Sequence, residues 1–133
     1  MKLFFSKQSG QSLVEFALAT TLLLTLLIGI VDFALSYYTL VRIRNAVAEG
    51  GYYASQHPRD IAGVRTQIKQ ELRQLNPAIV DGNIDVSCDD TMAEQEQTTI
   101  TVDYPHPLLF KYVVVAASVN LRAQTMVPQL GGC

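Results

Sequence analysis

Residues 13–31 form an almost unbroken apolar run whose one charge is Glu15, and the apolar character resumes after Asp32 as far as Val41. About 20 predominantly apolar residues in helical form cross a bilayer, so residues 11–41 are predicted to be a transmembrane helix. The run exceeds the roughly 7 to 15 residues of a cleaved signal-peptide core, and Ala17-Leu18-Ala19 comes too early to be its cleavage site. A retained anchor is therefore expected. Beyond Asp32, Leu40, Ile43, Val47, Gly51 and Ala54 recur at helical spacing while Arg42, Arg44, Asn45 and Glu49 fall on other faces. A helix from Ser12 to Ser55 would be about 65 Å long at 1.5 Å per residue, so its second half must project from a hydrocarbon core of roughly 30 Å. The alternative is two helices broken at Gly50-Gly51.

His57-Pro58 ends this element, because the residue before a proline is pushed away from helical geometry. A second helix is predicted over residues 60–75, with Asp60 as N-cap. Ile61, Val64, Ile68, Leu72 and Leu75 form its apolar stripe opposite Arg65, Lys69 and Arg73, and Asn76-Pro77 stops it. The period then changes from helical to alternating. Ile84, Val86 and Cys88 alternate with Asp85 and Ser87, which predicts a strand over about 84–88. Ile100, Val102 and Tyr104 alternate with Thr101 and Asp103, which predicts a second over 98–104. A third, over 118–127, follows from Val119, Leu121, Ala123, Thr125 and Val127. Residues 89–97 are polar, acidic and without rhythm, so they read as a loop, whereas residues 108–117 fit either a short helix or a buried strand.

Three strands with one apolar face cannot stand alone in water, and the amphipathic half of the long helix is the natural cover. The expected fold class is thus α+β: a long transmembrane helix extending into a small domain with a second amphipathic helix and a three-stranded antiparallel sheet. The segmentation is a basic leader at 1–10, the membrane helix at 11–41 and a small domain at 42–133.

Charge narrows the function. A chain of 133 residues with net charge -2 and scattered Lys and Arg has no basic stripe for nucleic acid. Lys2 and Lys7 before the span balance Arg42 and Arg44 after it under the positive-inside rule. The leader has no acidic residue and the two arginines lie well beyond the membrane exit, which favours a cytoplasmic N terminus. Cys88 and Cys133 are an even pair that suits an oxidising periplasm, and either a bridge or two free thiols fits. His57 and His106 stand beside prolines and read as surface turn residues. The two cysteines lack close metal-ligand spacing, and there is no phosphate-binding loop or nucleophile motif. Neither an enzyme, a cofactor, a metal nor a small-molecule substrate is expected.

Glu15 is the informative charge, since a carboxylate inside an apolar span costs about 2.5–3.5 kcal/mol at the membrane centre and normally has a partner or a task. Snorkelling at the cytoplasmic interface is the plainer reading. Its setting, however, is a basic leader, then Gly10, then a carboxylate, then a long apolar helix, and that order resembles a class III type IV pilin-like signal. The likeness extends to Gln11-Ser12-Leu13-Val14-Glu15-Phe16-Ala17-Leu18, Gly29-Ile30-Val31-Asp32-Phe33 and Asn45-Ala46-Val47-Ala48-Glu49-Gly50-Gly51-Tyr52-Tyr53-Ala54. Thr101-Val102-Asp103-Tyr104-Pro105 and Ala123-Gln124-Thr125-Met126 also fit. Together they resemble the TadE-like family, the minor pilins or pseudopilins of tight-adherence (Tad/Flp) pili. One departure is Ala48-Glu49-Gly50-Gly51-Tyr52-Tyr53, where that family commonly carries an Arg before the Glu and Ala-Arg after the first Gly.

The resemblance implies cleavage after Gly10 by prepilin peptidase on the cytoplasmic side, which makes Gln11 the new N terminus and Glu15 the partner of its ammonium. It implies residence in the bacterial inner membrane, incorporation in or assembly of a pilus with other pilins and the assembly platform, and no catalysis. Ala17, Thr21, Thr25 and Gly29 recur every fourth residue as a small-residue strip of the kind that lets helices approach closely in lipid. Chance explains such a strip equally well. Asp32 matches a common acidic position of the family and has no assigned role. A second functional class is an unprocessed, signal-anchored periplasmic binding or scaffold module that holds a partner at a sheet edge.

Overall fold

The computed structural model describes residues 9–89, 97–109 and 118–128. Helix α1 (Ser9–Gln56) is followed by α2 (Ile61–Glu71), a 3-10 turn (Asp81–Asn83), and strands β1 (Ile84–Asp89), β2 (Gln97–Pro107) and β3 (Ser118–Pro128). The strands form one antiparallel sheet in the order β1-β2-β3. This is the α+β arrangement that the periodicity predicts.

At 48 residues, α1 is about 72 Å long. Through residue 31 it is apolar on every side and almost wholly exposed, the character a helix has when lipid is its solvent. Above that level it becomes two-sided. Ile43, Ala46, Val47 and Ala54 are buried, while Arg44, Asn45 and Glu49 face outward. Arg42 turns back along the helix, its guanidinium 6.0 Å from the Tyr38 ring centroid, and donates weakly to the Glu71 carbonyl at the end of α2 (3.5 Å).

No break occurs at Gly50-Gly51. The two glycines lie about 100° apart around the helix and serve different neighbours. A Cβ on Gly50 would stand 2.7 Å from Ile68 Cγ1, and one on Gly51 would stand 3.0 Å from Val127 Cγ2 and 3.2 Å from Thr125 Cγ2. One missing side chain admits α2 and the other admits β3.

Asp60 caps α2 through two bonds. Its Oδ1 accepts the Gly63 N–H (2.9 Å) and its Oδ2 accepts the Tyr53 hydroxyl (2.8 Å). Both interactions, the backbone one first, hold the Asp60 carboxyl below its ordinary pKa, and the same contact raises that of Tyr53. Helix α2 ends at Glu71, short of the residue 75 that the stripe suggested. Leu72 N–H still bonds Ile68 O, and Leu75 N–H then bonds Leu72 O, both at 3.0 Å, so a tighter turn returns Leu75 to the core. Tyr104 reaches across from β2 and donates its hydroxyl to the Pro77 carbonyl (2.9 Å), and burial raises its pKa.

The sheet covers its apolar face with α1, as expected. Ile100, Val102 and Tyr104 on β2 are buried and pair with Thr125, Ala123 and Leu121 on β3. The opposite face is polar. There Asp103 and Arg122 are direct cross-strand partners joined by two bonds, Nε to Oδ1 (2.6 Å) and Nη2 to Oδ2 (2.8 Å).

β2 continues past residue 104 to Pro107, so His106 lies inside a strand opposite Val119 rather than in a turn. The two prolines there are tolerated because β1 ends its pairing at Val102. Past that residue β2 is an edge on the β1 side, where a missing N–H breaks no ladder bond. Of the segment read as a loop, Asp89 and Gln97 belong to the strands and residues 90–96 lie outside the described residues, as do residues 110–117 of the segment left open between helix and strand.

Candidate functional site

Gly10 sits in the first turn of α1, and among the described residues no atom within 4 Å would meet a Cβ added to it. Packing therefore gives no reason for glycine at this position. One turn later, Glu15 is four residues beyond Gln11 and on the same helix face, and the Gln11 amide donates to Glu15 Oε1 at 3.2 Å. An amide is a polar partner and leaves the carboxylate charge unneutralised.

Ala17, Thr21, Thr25 and Gly29 are exposed along the apolar segment. The Thr21 hydroxyl donates to Ala17 O and the Thr25 hydroxyl to Thr21 O, each at 2.9 Å. Each hydroxyl is thereby satisfied within its own helix, as polar side chains in lipid require. At Gly29 an added methyl would meet no atom of the described residues within 4 Å.

Asp32 is the residue to which the sequence assigns no role. Only 6% of its surface is exposed, and its Oδ1 accepts the backbone N–H of Leu109 at 2.8 Å, 77 residues further along the chain. The chain just beyond β2 therefore lies beside α1 at the level where the uninterrupted apolar run stops. A charge breaking an apolar run was the available signal. Its partner is a main-chain N–H, which every residue but proline carries, so no motif announces it.

Cys88, on β1, has its Sγ 3.7 Å from Thr98 Oγ1 and is not a free thiol. Cys133 lies outside the described residues. His57 is exposed and stacks on Tyr53, with ring centroids 4.5 Å apart. Among the described residues, no three of His, Cys, Asp and Glu come together as a metal site.

The site thus consists of one helix: an unpacked glycine, a carboxylate a turn above it, an exposed apolar shaft and a buried acid where the shaft meets the domain. The model of a family described as TadE-like protein matches residues 10–51. This segment is TadE-like. No curated protein and no solved structure matches the chain. The TadE-like match runs from Gly10 through Asp32 to the packed Gly50-Gly51 pair. The motifs at 101–105 and 123–126 lie beyond it. TadE-like proteins are associated with Tad pili and are not known as enzymes. The TadE-like helix is also the one described segment long and apolar enough to cross a membrane.

Proposed function

We propose that this chain is a minor pilin or pseudopilin that takes part in assembly of a tight-adherence type IV pilus. Prepilin peptidase cuts it after Gly10, and the mature chain stays in the inner membrane with its N terminus cytoplasmic and residues 42–133 periplasmic. The observation that carries this reading is the TadE-like shaft with nothing among the described residues packed on it. Residues 13–31 expose large apolar side chains all round, which suits lipid first and a bundle of like helices afterwards.

Cleavage creates an ammonium on Gln11, one turn below Glu15. That cation and the Glu15 carboxylate neutralise one another, within a subunit or between neighbours, and so remove the cost of an isolated charge in an apolar bundle. The strip at Ala17, Thr21, Thr25 and Gly29 supplies the close helix contact. The partners are prepilin peptidase, other pilins and the assembly platform. In the periplasm Cys88 pairs with Cys133 and ties the chain end to the sheet.

Mass spectrometry of membrane-extracted protein from cells with the peptidase is expected to give a chain starting at Gln11. An intact Met1 start would refute processing. Glu15→Ala is expected to be cleaved normally but to reduce piliation, and normal piliation would remove the assembly role of Glu15. An unprocessed scaffold module would instead tolerate Gly10→Ala and Glu15→Gln together. Mapping without reductant should recover a peptide linking Cys88 to Cys133, and two free thiols in periplasmic material would discard the pairing.

A further inference from the structure

Asp32 stands at a depth fixed by the chain itself. The apolar run beneath it, residues 13–31, is about 28 Å long as helix, close to the roughly 30 Å of a hydrocarbon core. Asp32 thus marks the boundary between acyl chains and headgroups on the domain side. Phe33 and Tyr37 follow with their rings stacked, centroids 6.4 Å apart, and both are exposed, as aromatic residues at such a boundary are. The 2.8 Å bond from Leu109 N–H to Asp32 places the backbone of Leu109 at this same depth. Its side chain is 61% exposed.

We infer that the domain meets the bilayer at a second point, where Asp32 holds Leu109 at the lipid boundary and the Leu109 side chain enters the acyl-chain edge. The partner is the lipid surface itself, because this contact continues the face that α1 already gives to lipid. An apolar side chain at that depth gains by leaving water. The carboxylate that fixes it is spared isolation, since its oxygen accepts a main-chain donor. Asp32 is here a positioning residue, and Leu109 makes the contact. The inference rests on α1 being a membrane anchor.

The chain has no tryptophan, so single substitutions give clean depth reporters. The full chain is reconstituted into phosphatidylcholine vesicles with and without acyl-brominated lipid, carrying Leu109→Trp, Phe33→Trp or Met126→Trp. Met126 is exposed near the far end of β3, beside Val127, which contacts Gly51. Gly51 is 19 residues above Asp32, or about 28 Å along α1. Leu109→Trp is expected to emit to the blue of Met126→Trp and to be quenched by brominated lipid as strongly as Phe33→Trp. Adding Asp32→Ala should abolish the shift and the quenching at Leu109→Trp, while Asp32→Asn, which keeps an acceptor oxygen, should restore both.

A Leu109→Trp reporter that matches Met126→Trp, with Phe33→Trp still quenched, overturns the second contact and leaves the anchor standing. If Phe33→Trp is not quenched either, the anchor reading fails and this inference falls with it. Quenching at Leu109→Trp that is indifferent to Asp32→Ala overturns the positioning role.

Discussion

Single side chains decide several contacts that whole elements only make possible. Asp32→Ala leaves the Leu109 N–H of this part-buried bond without its acceptor, which costs about 1 kcal/mol, the low end for a lost partner. Amide hydrogen exchange at Leu109 should therefore accelerate in Asp32→Ala and remain slow in Asp32→Asn. Tyr104→Phe removes the hydroxyl that bonds the Pro77 carbonyl and should lower domain stability by about 1 kcal/mol, read as the shift of a denaturation midpoint. The bond to Asp32 could not be read from sequence, because its donor carries no side-chain signature and its partner lies across the whole domain. Asp60 was readable, since an N-cap is a local arrangement and its contacts lie within a few residues.

On the scale of elements, the paired glycines of α1 separate two kinds of close packing. Gly50→Ala drives a methyl into fully buried Ile68. Overpacking of this sort costs about 1–3 kcal/mol, more than the roughly 1 kcal/mol that alanine gains over glycine in helix propensity. Gly51→Ala meets only the methyl tips of Val127 and Thr125, so gain and loss should nearly cancel. Melting curves of the two variants in detergent check the difference. A Cβ at Gly29 meets no described atom within 4 Å, so Gly29→Ala should leave melting unchanged; a loss of piliation would then locate a helix contact there.

Helix, strand and cover were legible because burial imposes a period on the residues that share it. Element ends were less so. β2 extends through Pro105 and Pro107 because β1 has already stopped beside it, a matter of neighbours that the local sequence does not contain. Likewise α2 stops at Glu71 although its apolar stripe continues, since Leu72 and Leu75 reach the core through a turn that keeps nearly the same spacing. The shaft was legible from Gly10 onward, but what it packs against in an assembly is not encoded in any one stretch of it.

For the molecule as a whole, the domain borrows a wall from the same helix that carries the apolar shaft. A chain starting at Ser36 keeps Ile43, Val47 and Ala54 against the sheet and should fold as a soluble protein. A chain starting at His57 uncovers Ile100, Val102 and Tyr104, and should bind hydrophobic dyes and aggregate. Circular dichroism and dye fluorescence distinguish the two. Acid should weaken the domain as well. Asp60, Asp81 and Asp103 all have lowered pKa values, through the Gly63 N–H, Lys69 and Arg122 respectively. A carboxylate with a lowered folded-state value adds stability above the ordinary range near about pH 4 and loses it as pH falls through the lowered value. The thermal midpoint should thus drop below about pH 4, and Asp103→Asn should flatten part of that slope.

Because α1 passes without interruption from its exposed apolar shaft into the core, the described residues contain no hinge between the two. A pull on the greasy end reaches the sheet without slack, and each step of one helical turn lifts it by about 5.4 Å. A machine that hoists such a subunit would hoist its folded head in register with the stem.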